Sequence, residues 1–126
     1  MAKSLKDYVD AALEVVTEIE PAEVLAKAES DAYRILDVRE PEEYADGHIP
    51  GAYNIPRGFL EVRADHVHHK QDPTMQDRSQ KFICYCGGGH RSAMACKTLL
   101  EMGFAEALSV KGGWTGWEEF GGPIEK

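Results

Sequence analysis

The 126-residue chain is short of positive charge and of cysteine and has no long apolar run, and each shortage excludes a class of protein. Its 14 Lys and Arg stand against 22 Asp and Glu, a formal net charge of −8. Proteins that bind nucleic acid generally, or anionic membranes, need a basic face to displace counterions. No nucleic acid and no membrane are therefore expected as partners. No segment reaches the ~18 consecutive apolar residues of a membrane span, and the opening MAKSLKDYV lacks the apolar centre of a signal peptide. The three cysteines, Cys84, Cys86 and Cys96, cannot all pair and contain no CxxC. Free thiols in a reducing cytoplasm are the expectation. His66, His68 and His69 beside Asp65 lack the distant matched ligands of a zinc site and read as solvated surface, so no metal and no cofactor are expected. There is no internal repeat and no low-complexity tract. What remains, 43% hydrophobic and 29% charged, is an ordinary globular composition. The length suits about one domain, burying roughly two-thirds of its unfolded surface.

From Ser4 to Ile19 the residues Leu5, Tyr8, Val9, Ala12, Leu13, Val16 and Ile19 fall at helical spacing, and Ser4 with Asp7 resembles a capping box. An N-terminal helical extension over residues 1–19 is expected, with the main domain over 20–126. Pro21 suits the first turn of a second helix, and YRILDV, residues 33–38, reads as a strand. PEEYADG (41–47) reads as a short helix, AYNIP (52–56) as an extended piece, Phe59 to about Val67 as helical, and the polar run 70–80 as loop. KFICY (81–85) is a strand, Ser92–Met102 a helix stopped by Gly103, and Ala107–Val110 a further strand. Alternating strands and helices predict an α/β fold: a mainly parallel central sheet with helices on both faces, its ligand site beyond the carboxyl ends of the strands.

ICYCGGGHRSAMAC, residues 83–96, concentrates the chemistry. Cys86 falls after a strand and before a helix, where α/β sheets place their sites. A free thiol is only a few per cent ionised at neutral pH, and holding a thiolate there takes about 2–3 kcal/mol of differential stabilisation. A helix N-terminus supplies about 0.3–1 kcal/mol, up to ~2 when partly buried, so further donors are needed. Gly87, Gly88 and Gly89 can turn successive amides inward as an anion-binding nest. His90 and Arg91 add positive charge at the rim, and Arg91 can hold a tetrahedral oxyanion with two donors. A plain turn needs one or two glycines and has no use for Cys-Gly-Gly-Gly-His-Arg-Ser leading into a helix.

At these residues the sequence resembles the rhodanese family of sulfurtransferases. LDVREPEEYADGHIPGAYNIP (36–56) is similar to the family's first signature, CGGGHRS (86–92) to its active-site loop, and VKGGWTGWEEFGGP (110–123) to its usual ending. The resemblance covers about residues 20–123. It implies the rhodanese-like three-layer fold, with Cys86 as the nucleophile that carries a persulfide, and the amides from Gly87 to Ser92 holding its sulfur or the donor's oxyanion. It also implies that Asp37 and Arg39 support the loop; the plain alternative for them is an ordinary salt bridge to Glu42 or Glu43. Six residues from Cys86 through Arg91 match the sulfurtransferases, whereas the related phosphatases and arsenate reductases have seven. The shorter ring is a narrower cup, suited to one extra sulfur atom.

The implied partners are a small-molecule sulfur donor, thiosulfate or a low-molecular-weight persulfide, and a thiol or cyanide acceptor. A slow or non-catalytic persulfide relay serving a protein acceptor is the alternative. His48 reads as a buried turn histidine, Cys84 as buried, and Cys96 as core and the one plausible resolving thiol for a redox role. Trp114, Trp117 and Phe120 read as a packing stripe first and a pocket wall second.

Overall fold

Strand and helix segments alternate and close into one covered sheet. The structure, a computed structural model, describes residues 2–30 and 32–126. In chain order the elements are α1 (Leu5–Leu13), β1 (Thr17–Ile19), α2 (Pro21–Ala28), β2 (Tyr33–Asp37), α3 (Pro41–Ala45), β3 (Tyr53–Asn54), α4 (Leu60–Ala64), β4 (Lys81–Tyr85), α5 (His90–Glu101), β5 (Glu106–Val110) and α6 (Gly113–Phe120). The strands lie in the order β1-β5-β4-β2-β3 and every pairing of neighbours is parallel. Period-two alternation sends Leu36, Phe82, Cys84 and Ala107 to one face, packed with Leu60, Ala95, Cys96 and Leu99. Ile35, Ile83, Tyr85, Leu108 and Val110 go to the other, packed with Val24 and Trp117. The chain adds β2 and β3 on one side of β4 and then β5 on the other. The end of β4 therefore faces the crevice where an open parallel sheet binds its ligands.

Three expectations are corrected. The helix expected to run to Ile19 ends at Leu13, and Thr17–Ile19 pairs with Leu108–Val110 as an edge strand. Val15, Val16 and Thr17 are β-branched and favour extended backbone. Val16 and Ile19, three residues apart, enter opposite cores, as a strand allows and one helix face does not. The helix expected over 59–67 is Leu60–Ala64, preceded by a 3₁₀ turn, because the Asp65 carboxylate accepts from the amides of Val67 and His68 and turns the chain away. The run 70–80 contains a 3₁₀ turn at Pro73–Met75, capped by Asp72 on the Thr74 amide at 2.8 Å, that buries Met75.

Asp37 and Arg39 end β2 as a buried ion pair, 0% and 3% exposed. The guanidinium donates to Asp37 Oδ2 at 2.8 Å and to the Gly47 carbonyl at 2.7 Å, and the Arg39 amide donates to Asp37 Oδ1 at 2.9 Å. Arg39 thus pairs with Asp37 rather than with Glu42 or Glu43. Its charge lies over the ring of Trp114, 4.8 Å from the centroid, and 5.4 Å from that of Tyr85. Burial and the neighbouring Asp37 charge push the Tyr85 hydroxyl up, and it accepts the Ile49 amide at 3.1 Å. Asp37→Ala leaves the Arg39 cation buried without its partner and should lower stability by about 3–5 kcal/mol in denaturant unfolding; a loss under about 1 kcal/mol would show that the pair does not hold this corner.

Candidate active site

The cysteine loop is built around an uncapped helix. Gly89, the residue before α5, has φ of +109°, and it supplies no side-chain cap to the helix. The first amides of a helix have no intrahelical partner, and an N-cap side chain normally accepts one. Here the sulfur of Cys86 takes that place. Its Sγ accepts the Gly89 amide at 3.1 Å and the Ser92 amide at 3.3 Å. The Ser92 hydroxyl lies 3.5 Å from the same sulfur, donates to the Gly89 carbonyl at 3.2 Å and bonds the Ser109 hydroxyl at 2.8 Å. Ser109, fully buried on β5, joins the site through Ser92. No motif marks it in sequence, since it is one serine within an apolar strand.

The residues expected in the loop take different positions around the sulfur. Cys86 is 1% exposed, and Gly89 and Ser92 are buried beside it, while Gly88 and His90 face solvent and Gly87 is half-buried. The Arg91 guanidinium is engaged by an acid from another element. It donates to Glu43 Oε1 at 2.8 Å and to Oε2 at 3.3 Å. That hydrogen-bonded guanidinium holds the Glu43 carboxyl down to about 2, from its ordinary 4.5, and Glu43 in turn raises Arg91. Glu43, on α3, is one of three acids in EPEE, and the sequence suggests it only as a partner for Arg39, not for Arg91.

A second clamp comes from the chain's end. The amides of Trp114 and Thr115, in the first turn of α6, donate to the carbonyls of Cys86 at 2.7 Å and Gly87 at 3.2 Å. A Cβ at Gly113 would lie 2.4 Å from the Cys86 oxygen, and Gly113 has φ of +55°. The Gly-Gly of VKGGW therefore brings the helix end against the loop backbone. Trp117 is fully buried, Trp114 partly so and Phe120 44% exposed, so the aromatic stripe packs rather than lining the sulfur. His48 is buried, its Nδ1 within 2.8 Å of the Tyr44 carbonyl and its ring stacked on Tyr44. Cys84 and Cys96 are buried on the α5 side of the sheet, and burial, followed by the neighbouring Cys84 thiol, pushes the Cys96 thiol up. His68 and His69 stack on each other at 4.5 Å between ring centroids, away from this site.

The family described as Rhodanese-like domain matches residues 20–120. Thiosulfate sulfurtransferase GlpE of Actinobacillus pleuropneumoniae is 31% identical over 112 residues, covering 89% of this chain and 95% of its own length. A Bacillus subtilis protein named as a candidate sulfur carrier, YrkF, is 38% identical over 97 residues, covering 74% of this chain; the match spans about half, 48%, of that longer relative. Among solved structures, a protein of unknown function from Rhodopseudomonas palustris, titled a possible tyrosine phosphatase, superposes with a TM-score of 0.91 at 35% identity, over 99% of this chain and 96% of its own.

Gly113→Ala should cost about 2 kcal/mol or more in unfolding experiments and slow alkylation of Cys86 or its loading with sulfur, because the collision falls on the loop backbone; unchanged stability would remove the clamp. The Glu43–Arg91 pair is half-exposed and screened, so its contribution is small, but its pH dependence has a definite sign. A carboxyl lowered in the folded state stabilises above its ordinary value of 4.5, and that part is lost as pH falls towards about 2. The gap between the thermal midpoints of the unsubstituted protein and Glu43→Gln should narrow across that window, and a constant gap would deny the pairing.

Proposed function

The chain belongs to the rhodanese-like domain family, and on that premise we propose that it is a sulfurtransferase working through a Cys86 persulfide. The observation that carries this reading is the pair of amides, Gly89 and Ser92, aimed at one sulfur at the start of α5. Hydrogen bonds to a charged acceptor are stronger than those to a neutral one, so these two amides and the helix end favour the form of the sulfur that attacks. The thiolate attacks the outer sulfur of thiosulfate or of a low-molecular-weight persulfide. A new sulfur–sulfur bond forms at Cys86, the donor's own sulfur–sulfur bond breaks, and its electron pair leaves with sulfite or the donor thiolate. A thiol or cyanide then takes the outer sulfur, and the pair from the broken bond returns to Cys86.

The cup favours this chemistry over phosphate ester hydrolysis. Arg91 follows Cys86 as C-x4-R and Cys84 as C-x6-R, so neither cysteine meets the C-x5-R spacing of tyrosine phosphatases. Cys86 is 1% exposed, which suits transfer of one atom better than attack within a bulky ester. Arg91, engaged by Glu43, leaves the hold on a donor mainly to backbone amides, with Gly87, Gly88 and His90 at the rim. The Asp37–Arg39 pair supports the loop through Trp114. The three cysteines are free, as work in a reducing cytoplasm requires. A relay that passes sulfur to a protein acceptor is a second reading, favoured by the relative named as a candidate sulfur carrier.

Intact-mass analysis after incubation with thiosulfate or glutathione persulfide should show one added sulfur atom, present in Cys96→Ser and absent in Cys86→Ser. Failure to load from any sulfane donor would overturn the reading. Fast turnover with cyanide or small thiols supports the enzyme; loading followed by transfer only to a protein acceptor supports the relay.

A further inference from the structure

A cleft of about 560 Å³ opens beside the cysteine loop, between α1 and residues Gly88, Gly89 and His90. Its wall is the row Leu5, Val9 and Leu13, spaced i, i+4, i+8 so that all three side chains share one stripe of α1. Val9 is buried in the contact with the body of the protein, but Leu5 and Leu13 remain 56% and 37% exposed, two apolar side chains beside an otherwise polar rim. The cleft's floor includes Gly89, whose amide donates to Cys86 Sγ at 3.1 Å, so one residue of the lining also holds the sulfur. Gly88, also on the floor, has open space where a Cβ would stand. Helix α1 lies outside residues 20–120, the part of the chain that matches the family.

We propose that this cleft is the binding site for the sulfur acceptor and selects an uncharged thiol with an apolar body, an aralkyl or alkyl thiol. The inference rests on the sulfurtransferase reading of Cys86. The volume falls within the ~300–1,000 Å³ of small-molecule sites. On the α1 side of the cleft Lys6 is paired to Asp10 one turn on, and Glu18 has no ion-pair partner among the described residues, so this side offers a charged acceptor body no free cation. A charged body gains no partner on the α1 side, whereas an apolar body covers Leu5 and Leu13 and gains their burial. With its body in the cleft, the acceptor's thiolate attacks the outer sulfur of the Cys86 persulfide. A bond forms between the acceptor sulfur and the transferred sulfur, the bond to Cys86 Sγ breaks, and its electron pair stays on Cys86. The acceptor leaves as its persulfide, with no external oxidant or reductant.

The test compares benzyl mercaptan with 2-mercaptoethanol, two uncharged thiols of similar acidity, in single-turnover transfer from the sulfur-loaded protein and from its Leu5→Ser and Leu13→Ser variants. Both positions are exposed enough for the fold to survive, which thermal unfolding checks. The half-saturating concentration of benzyl mercaptan should rise about tenfold with the limiting rate nearly unchanged, and the rate with 2-mercaptoethanol should not move. Equal effects on both thiols, or none on benzyl mercaptan, would overturn the proposal. A second measurement is independent of sulfur chemistry: benzyl alcohol added to the unmodified protein should shift the amide resonances of Val9, Gly88 and Gly89, and the shifts should be lost in Leu5→Ser. If Cys86 fails to load sulfur yet these shifts appear, the function is wrong and the cleft stands as a binding site; if Cys86 loads and neither effect appears, the cleft proposal alone fails.

Discussion

A sulfur atom seated where a helix needs its cap is the constraint on which the rest of the molecule depends. The free amides of Gly89 and Ser92 converge on Cys86 Sγ because no side chain before α5 accepts them. That convergence holds only while the loop keeps its curvature, and the loop cannot keep it alone, being rich in glycine and poor in side-chain contacts. It is held at its start by the α6 amides on the carbonyls of Cys86 and Gly87, and at its end by the regular hydrogen bonding of α5. A segment remote in sequence, VKGGW, is thus as necessary to the cup as the cysteine loop itself.

The electrostatics follow from the same economy. In an acidic chain the strong cations near the loop are each answered by an acid: Arg39 by Asp37 in the interior, Arg91 by Glu43 at the rim. Burying Arg39 without Asp37 would leave an uncompensated charge, and pairing them lets the guanidinium lie over the ring of Trp114, whose amide is part of the α6 clamp. What is left to attract negative charge at the sulfur is mainly backbone, fixed dipoles that do not reorganise as charge moves. Neutralised side chains also explain how a loop of inward-turned amides can coexist with an apolar wall on α1.

Much of this was legible in the sequence where a local pattern has one physical meaning. The short apolar runs in KFICY and YRILDV read as strands, Pro21 and Pro41 suit the opening of helices, and Cys-Gly-Gly-Gly at a strand-to-helix join reads as a turn with its amides free. The pattern misled where two structures share it: Val16 and Ile19 fit the helical period of α1, yet the β-branched run Val15–Thr17 extends and pairs with β5. Ser109 carried no signal, and Glu43 suggested only the wrong partner, Arg39, because their roles come from what other elements bring to them.

The sequence by itself determined the alternation of strands and helices, the parallel layered sheet that such alternation forces, and the cysteine placed after the central strand, since these rest on short-range periodicity and backbone freedom. Only the tertiary structure decided that Arg91 answers Glu43, that Gly113 presses on the loop, and that α1 walls a cleft beside it. Those are contacts between residues far apart in the chain, and distance along a sequence carries no information about separation in space until the sheet order is set.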